Sequence, residues 1–121
     1  MPEAVGKECK NHGIRWHNLP IPGARPAMLF SESFRIVKSV RTVLNQMKKK
    51  QEKVLVHCAA GIHRTGVFTY SILRAIGLTA KQAMEKIKEL RMATFKSVGD
   101  FRIFGADKHI IPSLLKIIKE E

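Results

Sequence analysis

Val54-Leu55-Val56-His57-Cys58-Ala59-Ala60-Gly61-Ile62-His63-Arg64-Thr65-Gly66 is the stretch on which the fold of this chain turns. Its first three residues are β-branched or apolar and read as a short buried strand. Small alanines and two glycines follow as a tight loop. Val67-Phe68-Thr69-Tyr70-Ser71-Ile72-Leu73-Arg74-Ala75-Ile76 then reads as a helix leaving it. Strand, loop and helix predict a β-loop-α unit. They also predict an anion site, because loop N–H groups and the first N–H groups of the helix converge where the helix dipole favours negative charge. Cys58 enters that cradle, and Arg64 supplies a planar fork that matches two phosphate oxygens. A phosphate ester fits it.

A free cysteine has a pKa of about 8.5, and helix N-termini and nearby cations bring it to roughly 3.5–7.5. The thiolate is the nucleophile that attack on phosphorus needs. Thr65 can put a hydroxyl beside the sulfur and stabilise the thiolate as a leaving group. A lone cysteine at the end of a strand is ordinarily just a small buried residue; Gly61, Arg64, Thr65, Gly66 and the following helix together reverse that reading. The loop lacks the Gly-Lys-Ser/Thr ending of a nucleotide-binding P-loop. His57 reads as a hydrogen-bonding residue that orients the cysteine. His63 reads equally as a substrate-facing side chain or an inert loop residue. No second histidine or cysteine stands at ligand spacing, so neither metal nor cofactor is expected.

His57-Cys58, five residues, then Arg64-Thr65-Gly66 resembles the signature loop of the cysteine-dependent protein tyrosine phosphatases, and within them the dual-specificity group. The resemblance runs from Gly13-Ile14-Arg15-Trp16-His17-Asn18-Leu19-Pro20-Ile21-Pro22 to about Asp107, most of the chain. It implies an α/β fold, with a small central, mostly parallel sheet flanked by helices, and it implies Cys58 as nucleophile, Arg64 as phosphate clamp and the backbone of Ala59, Ala60, Gly61, Ile62, His63 and Arg64 as the phosphate cradle.

Two departures from the family bear on mechanism. Family members usually carry a general-acid aspartate in the loop corresponding to residues 20–26, which here holds no carboxylate. The chain has two aspartates, Asp100 and Asp107, both beyond the signature loop. The resemblance puts the loop of Asp100 beside the phosphate pocket, which makes it the substitute acid; the rival reading is a helix cap before Phe101. Glu32 is the nearest upstream acid, at the start of a helix. Family members also carry further strands before the helix corresponding to residues 2–11. The expectation is therefore a sheet lacking N-terminal strands, with an exposed edge that could pair a second copy into a homo-oligomer.

The 121 residues suit one domain, an N-terminally shortened one spanning residues 1–121. With 45% hydrophobic residues the chain should fold. Two cysteines far apart make no disulfide framework, which fits a reducing compartment and leaves Cys9 a bystander. No signal peptide is visible after Met1 and no apolar run approaches the ~20 residues of a membrane span, so a cytoplasmic or nuclear location is expected. The net charge of +12 attracts polyanions such as phosphorylated acidic peptides, phosphoinositide headgroups or RNA. The plainer reading is a solvated basic surface, since the lysines are spread over several helices.

Along the chain, residues 2–11 read as a helix stopped at His12-Gly13. Residues 14–21 read as extended, with Ile14, Trp16 and Leu19 facing one way. A long helix starts near Ser31 or Ser33 and buries Val37, Val40, Leu44 and Met47, ending at Lys48-Lys49-Lys50. Gly77 stops the signature helix. Thr79-Ala80-Lys81-Gln82 fits a capping box, and Met84, Ile87 and Leu90 or Arg91 form the stripe of the next helix. After a loop over residues 94–100, Phe101, Phe104, Ile110, Leu114 and Ile118 suggest closing helices, with Pro112 at a kink or a fresh start.

The leading expectation is a phosphoric monoester hydrolase acting on phosphotyrosine proteins, with phosphoserine and phosphothreonine as further substrates, through a cysteinyl-phosphate. The alternatives are a phosphate-binding module with little turnover, and a phosphatase of RNA 5′ ends or phosphoinositides.

Overall fold

Helix ends in this chain are written in single residues. In the computed structural model, which describes residues 2–19, 30–31, 33–50, 54–56, 63–92 and 100–119, the first helix, α1 (Pro2–Asn11), stops at Gly13. Gly13 takes φ +69°, a left-handed conformation that costs glycine no Cβ clash. The turn then closes with Ile14 N–H on the Cys9 carbonyl at 2.7 Å and Gly13 N–H on the Lys10 carbonyl at 3.1 Å. The same pair of bonds ends the signature helix. There Gly77, at φ +111°, donates to the Arg74 carbonyl, and Leu78 donates to the Leu73 carbonyl.

Among the described residues follow α2 (Ser33–Lys50), α3 (His63–Ala75), α4 (Ala80–Leu90), α5 (Asp100–His109) and α6 (Ile111–Lys119). The capping box at α4 forms as its sequence requires. Thr79 Oγ1 accepts from Gln82 N–H at 3.2 Å, and Gln82 Oε1 accepts from Thr79 N–H at 2.9 Å. Pro112 sits in the first turn of α6, where a missing N–H costs nothing. It marks a fresh start rather than a kink.

The helix α3 is the centre of the packing and touches α2, α4, α5 and α6. Val67, Tyr70, Ile72 and Leu73 on α3 are buried with Ile36, Val37, Val40, Val43 and Leu44 of α2. Ala83 and Ile87 of α4 join them, as do Ala106, Ile110, Ile111 and Leu114 at the α5–α6 corner. Burial of such side chains contributes about 1.5–3 kcal/mol each, so this helix-on-helix core carries the fold. Met47 packs at its edge. Two expected core positions do not: Leu90 and Phe104 are exposed, because the buried face of α4 runs through Ala83 and Ile87 and that of α5 through Ala106.

The expected central, mostly parallel sheet is corrected by this structure, since no strand occurs among the described residues. Residues 54–56 carry no regular structure, and Leu55 is 88% exposed; only Val56 packs against the core. A strand is stable only in a ladder, with a neighbour about 4.8 Å away. The one other apolar non-helical stretch among the described residues, 14–19, is held by helices instead. Trp16 lies against Gly6 of α1, and His17 Nε2 hydrogen-bonds Ser39 Oγ of α2 at 3.1 Å. Ile14 is exposed, while Leu19 reaches the core. The expected sheet edge for pairing a second copy therefore has no counterpart among the described residues.

Candidate functional site

The helix of the signature stretch begins four residues earlier than its sequence suggests, at His63 rather than Val67. His63, Arg64, Thr65 and Gly66 thus form its first turn, not the end of a loop. The N–H groups at the very start of a helix lack the carbonyl one turn back, and they point out of the positive end of the dipole. Arg64 and Thr65 are half-buried there, and Gly66 is buried. The turn joins amide donors and one guanidinium at the N-terminus of the most central helix. His57, Cys58, Ala59, Ala60, Gly61 and Ile62 lie outside the described residues, as do Glu32 and residues 20–26.

The body of α3 is tied down by a polar network that its sequence only hinted at. Tyr70, fully buried, donates its hydroxyl to Asp107 Oδ1 of α5 at 2.5 Å. Arg74, one turn on, gives Nη1 to the same Asp107 oxygen at 2.9 Å and to the Tyr70 oxygen at 3.1 Å. The guanidinium also sits 5.9 Å from the centre of the Tyr70 ring. Burial, and then the bond to the Asp107 carboxylate, push the Tyr70 hydroxyl up to about 12, so it remains a donor through neutral pH. Arg74 stands in the last turn of α3, where a cation suits the dipole. Tyr70 and Arg74 share a helix face at i, i+4 spacing, the one signal that could have paired them. Nothing local assigns them Asp107, 37 and 33 residues away.

The two aspartates are thereby distinguished. Asp107 is occupied by Tyr70 and Arg74. Asp100 is the first residue of α5, a helix packed against α3. No group of three or more metal-ligating side chains occurs among the described residues, and no helix among them is long and apolar enough to cross a membrane.

The family description "Dual specificity phosphatase, catalytic domain" matches residues 6–101 of the chain. No curated protein and no solved structure matches it. The matched span includes the signature stretch, the first turn of α3 and Asp100, and it ends before Asp107.

Proposed function

Because the chain belongs to the dual specificity phosphatase catalytic-domain family, we propose that it hydrolyses phosphate monoesters on proteins, phosphotyrosine foremost, through a cysteinyl-phosphate. The observation that supports this most is Arg64 and Thr65 in the first turn of α3, six and seven residues after Cys58 in the sequence. In the proposed reaction the Cys58 thiolate attacks phosphorus. An S–P bond forms as the ester P–O bond breaks, and the departing oxygen takes a proton. Arg64 and the N–H groups of residues 59–64 hold the equatorial phosphate oxygens, where charge is spread in the transition state. Water then attacks phosphorus, the S–P bond breaks, and the Thr65 hydroxyl stabilises the returning thiolate. His57 orients Cys58.

Asp100 is the proposed proton donor, since Asp107 is committed to Tyr70 and Arg74. General acid catalysis contributes about 10²–10⁴-fold. Where the donor is poorly placed, the best leaving group suffers least, and a phenol with pKa near 10 leaves more readily than an alkyl alcohol. This favours phosphotyrosine over phosphoserine. The absence of a carboxylate from residues 20–26 supports a second reading, a phosphate-binding module with little turnover.

One comparison separates the two. The chain and its Cys58→Ser variant are given an activated aryl phosphate and matched phosphotyrosine and phosphoserine peptides. Turnover that vanishes in the variant, and that is faster on phosphotyrosine, supports the enzyme. Phosphopeptide binding without turnover by either protein overturns it in favour of the module.

A further inference from the structure

Away from the signature stretch, α2 and α6 diverge around a cleft of about 310 Å³. Ser33, Phe34, Val37, Lys38 and Arg41 line it from α2, His109 from the end of α5, and Ser113 and Ile117 from α6. Its chemistry is layered. Val37 and Ile117 make an apolar floor, and Phe34, 67% exposed, stands as an apolar wall. Lys38 and Arg41 supply cationic groups, His109 an imidazole and two serines hydroxyls, and no carboxylate is found among the described residues that line the cleft. The His109 ring lies tilted at 32° against Phe30, with centroids 5.4 Å apart, which helps to hold it in place.

We propose that this cleft docks an acidic protein segment, seating one apolar side chain between Phe34, Val37 and Ile117 and its flanking carboxylates against Lys38, Arg41 and His109. The reading goes beyond the phosphatase assignment and does not depend on it. Three observations favour this occupant. The cleft has room for an apolar side chain, and Phe34, Val37 and Ile117 give it an apolar lining. Lys38 and Arg41 lie three residues apart, on adjacent turns of one helix, a spacing that meets carboxylates along a peptide. The net charge of +12 concentrates acidic segments near the surface before docking. A flat bilayer does not enter a recess with an apolar floor. A single-stranded RNA stacks successive bases on aromatic rings, and among the described residues lining the cleft the aromatic rings are Phe34 and the imidazole of His109.

The test is fluorescence anisotropy with the full chain and a labelled Glu/Asp-rich peptide carrying one central leucine. Lys38→Glu with Arg41→Glu is compared with Lys7→Glu with Lys81→Glu, which changes the net charge equally but lies outside the cleft. Lys38→Glu against Lys81→Glu repeats the comparison with one substitution each, and circular dichroism checks that every variant, Phe34→Ala included, folds. The expected result is at least tenfold weaker binding for the cleft pair than for the outside pair. Replacing the peptide leucine by serine, or Phe34 by alanine, is expected to weaken binding at least fivefold. Equal losses for the two charge pairs overturn the proposal and leave only the general field. Indifference to the leucine, or tighter binding of an RNA oligomer or of phosphoinositide vesicles than of the peptide, overturns it as well.

Discussion

Tyr70→Phe isolates one atom of the network that holds α3. The ring is fully buried, and phenylalanine keeps its carbon skeleton, so no cavity forms. What is lost is the hydroxyl's bond to Asp107 Oδ1 and its acceptance from Arg74 Nη1. A hydrogen bond to a charged group contributes about 1.5–3 kcal/mol. The lower end applies here, because the Asp107 side chain is 39% exposed and water replaces the missing donor. Arg74 also keeps its bond to Asp107. The expected loss is about 1.5 kcal/mol, and at roughly 4 °C per kcal/mol for a domain of this size Tm falls by about 6 °C. Asp107→Ala should cost more, about 2–3 kcal/mol, because it leaves the buried hydroxyl without its acceptor. In that background Tyr70→Phe should cost almost nothing, so the double-mutant cycle returns a coupling of about 1 kcal/mol or more. Urea and thermal unfolding followed by circular dichroism measure all four corners. A Tyr70→Phe protein within 0.5 kcal/mol of the wild type, or two fully additive substitutions, would refute the network.

Three further outcomes follow from named groups. Tyr70 is the single tyrosine of the chain, so tyrosinate absorbance reports on it alone. After a fast pH jump the native protein should ionise at about 12, well above the ordinary phenol near 10. Because the folded value is the higher one, the group's contribution to stability is intact below pH 10 and is lost as pH rises from about 10 to 12; a native step near 10 would contradict the burial. Thr79→Ala removes a capping box and should lower stability by about 1 kcal/mol, read in urea unfolding, while Thr79→Ser should restore most of it. Asp100→Asn should remove the basic limb of the pH–rate profile and slow phosphoserine peptides more than activated aryl phosphates; an unchanged profile rules Asp100 out as the acid.

Much of the helical framework was legible residue by residue. Gly13 and Gly77 stop their helices through a conformation that only their own backbones decide. Thr79 and Gln82 make a cap that closes within four residues. The signature stretch could be read because its parts are contiguous, so spacing alone puts Arg64 and Thr65 together after Cys58. The start of α3 was misplaced by four residues, since Gly66 and β-branched Thr65 favour a loop locally, while burial of Gly66 and Val67 in the core holds them in a helix.

A helix is closed by bonds four residues apart, so sequence by itself determined where α1, α2 and α4 lie and placed Val37, Val40 and Leu44 on the buried face of α2. A strand borrows its hydrogen bonds from a distant segment, and an apolar run such as residues 54–56 cannot say whether that segment will arrive. Only the tertiary structure decided that it does not among the described residues, that Asp107 belongs to Tyr70 and Arg74, and that α2 and α6 part around a basic cleft. Each of these joins groups remote along the chain, and the packing around α3 alone sets their distances.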